Sequence, residues 1–236
     1  MLVTDERFVV HAEMGDPWEH VQRLRLHEHD VGDAVAAARS VMRRTGASIA
    51  SWWLSEHATP ADLEARLLER GLTIVPDDYL IDGLLLTSIP PPAPPGVEAR
   101  PVASAAELAE TTELQREVFA TPLSHGTRSA ADEFERLREA EYERVYAAWV
   151  DGRIAGAARA YFTPRGAMMA GGATAPWARG RGAYRALVRA RWDDAATRGT
   201  PALGVHANAR SGPILRRLGF EQVLRFRRLQ DVPSVT

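Results

Sequence analysis

The sequence predicts an α/β protein with a mixed sheet, preceded by a smaller α/β region that partly repeats the main domain. Three observations carry this prediction. Residues 97–236 alternate strand-like and helix-like segments in the order β-α-α-β-β-β-α-β-α-β, which is typical of a mixed α/β domain. Residues 89–96 read IPPPAPPG, and so many prolines favour a stiff extended linker. Residues 1–88 read α-β-α-β, the same order as residues 182–230.

Local signals define the elements of residues 97–236. Asp151-Gly152 suits a tight turn between two strands, and Gly219 suits the C-terminal end of a helix. The predicted strands are Val97–Pro101, Val145–Val150, Ile154–Phe162, Ala167–Thr174, Leu203–His206 and Val223–Leu229. The predicted helices are Ser104–Phe119, Ala130–Glu143, Gly182–Arg198 and Ser211–Leu218, with a loop over Thr121–Arg128.

The elements of residues 1–88 are fewer. An amphipathic helix is predicted over Asp33–Arg44, followed by a strand over Ser48–Leu54. Thr59 followed by proline indicates the cap of a second helix that runs to Arg70, and Tyr79–Thr87 is predicted as a strand. The first of these helices has no glycine-rich start, so this copy is not expected to bind the same anion as the main domain.

The composition excludes several kinds of chemistry. The chain has 236 residues and no cysteine, so it has no disulfide, thiolate metal ligand or cysteine nucleophile. All 29 basic residues are arginine, which excludes a Schiff-base lysine and a Walker lysine. We expect a cytoplasmic protein without a membrane partner, because no apolar run is long enough to span a bilayer and the N-terminus lacks a secretory pattern.

Charge is unevenly distributed along the chain. Residues 178–228 carry a net charge of +9 in a chain whose total is −2, so the remainder carries −11. This distribution favours an anionic ligand at one place and a positively charged acceptor at another. Nucleic acid is not expected as a partner, because aromatic residues do not alternate with the arginines and the isoelectric point is about 6.4.

Residues 179–187, RGRGAYRAL, place glycine and arginine at the start of a predicted helix. A helix N-terminus presents free backbone N–H groups and partial positive charge, glycine permits close approach, and arginine adds charge-assisted hydrogen bonds to phosphate. The stretch therefore indicates a pyrophosphate cradle, although the glycines alone are equally compatible with a simple tight turn.

This stretch resembles the cofactor motif of the Gcn5-related N-acetyltransferase (GNAT) superfamily, [Q/R]-x-x-G-x-[G/A]. The match holds at Arg179 and Gly182 and fails at Tyr184, where Gly or Ala is usual; a tyrosine within the helix can point away from the ligand. A second family motif is kept by Asn208 and the later Gly219-Phe220. The resemblance covers residues 97–231 and implies a GNAT domain there, with residues 1–88 a degenerate partial copy.

The resemblance implies acetyl-CoA as cofactor. Its pantetheine arm would lie between two diverging strands, and the amides of residues 181–183 would hold the pyrophosphate. The residues implied to bind it are Gly172, Thr174, Arg179, Gly180, Arg181, Gly182, Ala183, Tyr184, Arg185 and Asn208. Arg185 is equally well read as a solvated arginine.

The implied reaction is direct attack of an acceptor amine on the thioester, with a base to take the amine proton. Relatives often use a tyrosine to protonate the departing thiolate, but Leu215 stands at that position here. Candidate catalytic residues are His206, Glu117, His125 and Tyr161. Three of them have an ordinary alternative: a hydrogen-bonded strand histidine for His206, a solvated carboxylate for Glu117 and core packing for Tyr161. The His27/His29 spacing resembles a metal site, but no further ligand set is evident in the sequence.

The leading hypothesis is a CoA-dependent N-acyltransferase for a small amine-bearing molecule, with residues 1–88 closing the pocket or forming a homodimer face. Two alternatives stay open at this point. One is acetylation of a protein N-terminus or lysine, which would need an open groove. The other is a catalytically inactive acyl-CoA-binding sensor or scaffold, which the leucine at position 215 keeps open.

Overall fold

A computed structural model describes residues 2–4, 6–12, 18–75, 78–120 and 128–232. The strands are β1 Leu2–Thr4, β2 Val9–Ala12, β3 Trp18–Gln22, β4 Ile49–Ser55, β5 Thr73–Ile74, β6 Leu80–Leu86, β7 Val97–Pro101, β8 Glu143–Val150, β9 Arg153–Thr163, β10 Gly166–Thr174, β11 Leu203–Ala207 and β12 Glu221–Asp231. The helices are α1 Val31–Thr45, α2 Leu63–Leu68, α3 Ala105–Phe119, α4 Ala130–Glu139, α5 Ala183–Thr197 and α6 Gly212–Arg217. Contacts divide the chain into a first unit, mainly Met1–Asp82 and Leu224–Thr236, and a second unit, mainly Gly83–Leu123 and Arg128–Val223.

The second unit is built on a mixed sheet in the order β11-β10-β9-β8-β7, in which only β10 and β11 are parallel. Neighbouring residues of β8 show which helices cover each face, because successive side chains of a strand point to opposite faces. Val145 packs with Leu108 of α3 and Leu137 of α4, whereas the hydroxyl of Tyr146 donates to Asp194 of α5 at 2.5 Å. Helices α3 and α4 therefore cover one face, and α5 covers the other.

The predicted helix over Ala130–Glu143 is wrong at its C-terminal end, because α4 ends at Glu139 and Glu143 begins β8. The carboxylate of Glu143 is buried, and it accepts hydrogen bonds from Arg136 at 2.9 Å and from Arg159. Pairing with these two arginines holds Glu143 in the sheet. In the sequence Glu143 looks like one more charge of the mixed-charge helix before it, so the prediction extended the helix too far.

The first unit contains a sheet in the order β1-β2-β3-β4-β12, with β5 also paired to β12. β3 and β4 are parallel and joined by α1, just as β10 and β11 are parallel and joined by α5. The same β-α-β arrangement therefore occurs in both halves of the chain. Strands β1, β2 and β3 were not predicted, because they are short and follow no clear alternation of polar and apolar residues.

The predicted helix cap at Thr59 is wrong. Helix α2 begins at Leu63, after Asp62, and the Thr59 hydroxyl instead donates to the carbonyl of Leu26 at 3.0 Å. The hydroxyl joins two loops of the first unit rather than capping a helix. In the described residues no helix has the length and apolar character needed to cross a bilayer.

A buried carboxyl lies in the core of the first unit. Glu19 of β3 is fully buried, and neither of its carboxylate oxygens has a hydrogen-bond partner among the residues that the structure describes. Burial, with a smaller contribution from the negative charge of Asp231, raises the pKa of Glu19 to about 8. Asp231 is itself paired with Arg39 of α1, at 2.8 Å between Oδ2 and Nε.

The proline-rich segment, residues 89–96, lies in the second unit and packs against α5. Its Pro90 carbonyl accepts a hydrogen bond from Nη1 of Arg189 at 3.3 Å. A Cβ placed on Gly182 would lie only 2.3 Å from Cγ of Pro94. The segment therefore contacts the N-terminal turn of α5, where the glycine-arginine stretch lies.

Candidate active site

The N-terminal end of α5 is free of side-chain caps. Its N-cap, Gly182, has φ 88°, and Gly180 has φ 77°, both in the left-handed region that glycine tolerates best. The first turn of α5 contains no acidic residue. The first N–H groups of a helix have no acceptor within the helix, so this end offers several backbone donors to an anion.

Three arginines surround these donors. Arg179 and Arg181 are exposed, and Arg181 pairs with Asp151 at 2.7 Å, whereas Arg179 has no ion-pair partner among the described residues. Arg185, on the first turn of α5, has a buried Nε with no hydrogen-bond partner in the described part of the chain. A buried donor without an acceptor is costly, and an anion at the helix end would supply one.

β10 and β11 diverge beside this helix end. They pair through only three residues each, and the last pair is Met169 with Val205, although β10 continues to Thr174 and β11 to Ala207. The backbone groups that face the gap are therefore not used between these two strands. On its other side, β10 has a bulge against β9 between Ala170 and Ala173.

Two glycines form that bulge, and each is contacted from a different face of the sheet. The carbonyl of Gly171, whose φ is 59°, accepts a hydrogen bond from Nε2 of the buried Gln115 of α3 at 2.5 Å. A Cβ on Gly172 would lie 2.7 Å from Cε2 of Tyr184. Sequence reasoning did not identify Gln115, although a Gly-Gly pair within a strand is a signal of a bulge.

Tyr184 of the helix motif points toward β10. Its ring packs against Gly172, and burial raises the pKa of its hydroxyl, while the nearby Arg191 opposes that shift. Glycine at position 172 leaves the space that the ring fills. Tyr184 of α5 therefore fits against β10 because residue 172 has no side chain.

Arg191 is a buried cation below the sheet. It is 1% exposed, and it donates to the carbonyls of Leu187 at 2.9 Å and Arg159 at 3.4 Å, while Nη2 has no hydrogen-bond partner. No carboxylate lies within ion-pair distance of it in the part of the chain that the structure describes. Burial lowers the pKa of its guanidinium.

His206 and Tyr161 lie on the same face of the sheet, the one that α3 and α4 partly cover. Gly204 pairs with Met168, and Met168 pairs with Tyr161, so His206, two residues after Gly204, shares their face. His206 follows the last β10–β11 pair and is exposed at its surface, and partial desolvation by neighbouring groups lowers its pKa. A neutral imidazole at neutral pH is the form that accepts a proton.

The other candidates differ in their surroundings. Tyr161 is 36% exposed, so the alternative that it packs in the core is wrong. Glu117 is exposed on α3, as its solvated alternative expects. His125 lies outside the described residues. His27 and His29 stack with ring centroids 5.6 Å apart, and Nε2 of His29 lies 3.7 Å from Asp30.

Asn208 and Leu215 have structural roles in the loop and helix after β11. Oδ1 of Asn208 accepts from the amides of Arg210 and Ser211 at 3.0 and 3.1 Å, so this oxygen fixes the turn into α6. Leu215 is fully buried in the core of the second unit. The side chain at position 215 therefore has no proton to donate to a departing thiolate.

Comparisons with known proteins identify the fold. A model of the acetyltransferase (GNAT) family matches residues 108–220. A GCN5-related N-acetyltransferase from Kribbella flavida is 19% identical, with 99% of this chain and 90% of that chain covered and a TM-score of 0.71. A GCN5-related N-acetyltransferase from Sphaerobacter thermophilus is 18% identical, with 97% and 78% covered and a TM-score of 0.68.

A tandem GNAT protein from the clavulanic acid biosynthesis pathway is 18% identical, with 97% of this chain and 79% of that chain covered and a TM-score of 0.63. No curated protein matches the chain. At such identities the structures show the fold alone. The comparisons confirm the predicted GNAT resemblance, the mixed α/β fold and the transferase class.

Proposed function

We propose, from the premise that residues 108–220 form a domain of the acetyltransferase (GNAT) family, that the chain is an acetyl-CoA-dependent N-acyltransferase acting directly on a small amine-bearing molecule. The observation that carries this proposal is the gap between β10 and β11 beside an uncapped helix end. An anionic group at the helix end and an extended arm in the gap are what that shape accommodates.

The residues present fit coenzyme A by their chemistry. The amides of residues 181–183 and the guanidiniums of Arg179 and Arg185 would hold the pyrophosphate, and the buried Nε of Arg185 would gain an acceptor. Backbone groups of Gly172 and Thr174 would bind the pantetheine arm. Bound acetyl-CoA would supply an acyl thioester as the group to be transferred.

The chain's own contribution is position and proton transfer. His206, neutral because partial desolvation lowers its pKa, would accept the proton of the acceptor amine. Tyr161 lies on the same face of the sheet and would orient the acceptor. Backbone amides in the bulge of β10 would polarise the acyl carbonyl, which develops negative charge during attack.

Calorimetric titration with acetyl-CoA tests the cofactor site. Arg179→Ala removes an exposed guanidinium that has no ion-pair partner in the described residues. The dissociation constant of this variant for acetyl-CoA is expected to be about tenfold higher than that of the wild type. Arg165→Ala is the matched control, because it removes an exposed arginine from the turn at the other end of β10. Absence of binding, or equal weakening in both variants, would refute the site.

A thiol-dye assay of CoA release tests the reaction. A panel of cationic amines, anionic amines and amine-bearing peptides is compared, and turnover is expected to be highest with small cationic amines, given the acidic charge outside residues 178–228. Preferred turnover of peptides would favour a protein acetyltransferase instead.

An inactive acyl-CoA-binding protein is the second candidate. The fully buried Leu215, at the position of the usual proton donor, is the observation that favours it. Tight binding of acetyl-CoA with no CoA release from any amine in the panel would support this candidate over the enzyme.

A further inference from the structure

We infer that the first unit has its own binding site for a small phosphate monoester, in a groove along α1. The groove encloses about 500 Å³, and its lining residues are Gly32, Val35, Ala36, Arg39, Arg43 and Arg70. We call it the α1 groove. Its lining residues differ from those at the N-terminal end of α5, which we call the α5 entrance. The inference does not depend on the proposed acyltransferase function.

The α1 groove has an excess of positive charge. Arg39 is neutralised by Asp231, through bonds of 2.8 and 3.0 Å from Nε and Nη2. Arg43 is exposed, and neither Arg43 nor Arg70 has a carboxylate within ion-pair distance among the described residues. Two guanidiniums in one groove therefore lack a counter-ion.

This excess is not general in the first unit. Five of its other arginines are each paired with a carboxylate at 2.9 Å or less: Arg7, Arg66, Arg225, Arg227 and Arg228. Most arginines of this unit are therefore paired with acids, although among the described residues Arg23 and Arg25 also lack a carboxylate within ion-pair distance; the α1 groove is a place where two such arginines line one cavity. Such a site is suited to a dissolved anion.

Two of the three guanidiniums are already held in place. Nη2 of Arg39 also donates to the carbonyl of Arg70 at 3.1 Å, and Nη1 of Arg70 donates to the carbonyl of Arg66 at 2.8 Å. The Nε of Arg70 lies 4.0 Å from where a Cβ on Gly32 would be, so this guanidinium lies beside the first turn of α1. Binding would therefore lose little side-chain entropy.

The ligand cannot bind as the pyrophosphate does at α5. Acidic residues surround the start of α1, with Glu28 and Asp30 in the preceding 3-10 turn and Asp33 in the first turn. These carboxylates repel an anion from the helix end, so the anion is expected further along α1, on the side of the groove that Arg43 lines. Val35 and Ala36 supply an apolar wall for the organic part of a monoester.

Calorimetry with phenyl phosphate on the full chain tests this inference. Arg43→Ala is expected to raise the dissociation constant about tenfold, because a charge-assisted contact to phosphate is lost. Arg44→Ala is the matched control, since it removes the neighbouring exposed arginine of α1, which does not line the groove. Circular dichroism checks that both variants are folded.

The α5 entrance could also hold phosphate, so Arg179→Ala is titrated in parallel. Loss of phenyl phosphate binding in Arg43→Ala, with binding retained in Arg44→Ala and Arg179→Ala, supports the α1 groove. Loss in Arg179→Ala alone, equal loss in Arg43→Ala and Arg44→Ala, or no binding by the wild type would overturn the inference. Acetyl-CoA binding is expected to be unchanged in Arg43→Ala, so the two sites fail independently.

Discussion

Replacing Gly182 by alanine tests the packing at the α5 entrance, and Gly180→Ala is its internal control. Both glycines have left-handed backbones, with φ of 88° and 77°. A Cβ at position 182 would lie 2.3 Å from Cγ of Pro94, whereas a Cβ at position 180 would meet no atom within 4 Å. The two variants share the backbone strain and differ in the steric clash.

The expected magnitudes follow from that difference. An alanine held at positive φ costs roughly 1–2 kcal/mol, which applies to both variants. Overpacking against a rigid ring adds about 1–3 kcal/mol in Gly182→Ala alone. We therefore expect Gly180→Ala to lose about 1–2 kcal/mol of unfolding free energy and Gly182→Ala about 2–5 kcal/mol.

Urea unfolding followed by tryptophan fluorescence measures these changes, and acetyl-CoA titration shows whether the amides of the loop have moved. Pro94→Gly in the Gly182→Ala background removes the clash and should recover most of the added loss, a coupling that a double-mutant cycle isolates. If Gly182→Ala were as stable as Gly180→Ala, or if Pro94→Gly gave no recovery, the described contact would be wrong.

Three further predictions concern buried or crowded groups. The pKa of Glu19 is raised from 4.5 to about 8, so the stability of the first unit should fall as pH rises through this range. The expected fall is on the order of 5 kcal/mol. Urea titrations at pH 5, 6.5 and 8 measure it, and Glu19→Gln should remove it. Gly172→Ala should lose about 1–3 kcal/mol of unfolding free energy, because its Cβ would meet the ring of Tyr184. In a Tyr184→Ala background the added loss from Gly172→Ala should be much smaller. The value of kcat/KM should rise with pH, pass through an inflection below the usual histidine pKa and then level off. His206→Gln should remove that inflection while thermal unfolding stays unchanged.

Each of these has an outcome that contradicts it. The same pH slope in wild type and Glu19→Gln would show that another group titrates. Additive losses in Gly172→Ala and Tyr184→Ala would mean that the two residues do not touch. An unchanged inflection in His206→Gln would assign the base to another residue.

The features predicted well from the sequence are those that local chemistry determines. The glycine-arginine stretch at the start of α5 could be read directly, because left-handed glycines and an uncapped helix are local properties. The end of α6 at Arg217, shortly before the left-handed Gly219, and the Asp151-Gly152 turn follow from the same kind of signal.

The features that were missed depend on pairs of residues distant in the chain. Gln115 and Gly171 are separated by 56 positions, so neither identifies the other in a single sequence. The direction of Tyr184 depends on the missing side chain of Gly172, and the position of Glu143 depends on two arginines from other elements. Such contacts are set by tertiary packing, which periodicity does not encode.

The contrast between the starts of α1 and α5 has a thermodynamic consequence. Hydrogen bonds from the His27 amide and Arg7 keep the pKa of Asp30 low, so the α1 end holds a permanent internal anion. At α5 the corresponding charge must come from solution. On the proposed function, folding of the second unit gains free energy with the logarithm of coenzyme A concentration, while the carboxylates at α1 make that end independent of any supplied metabolite.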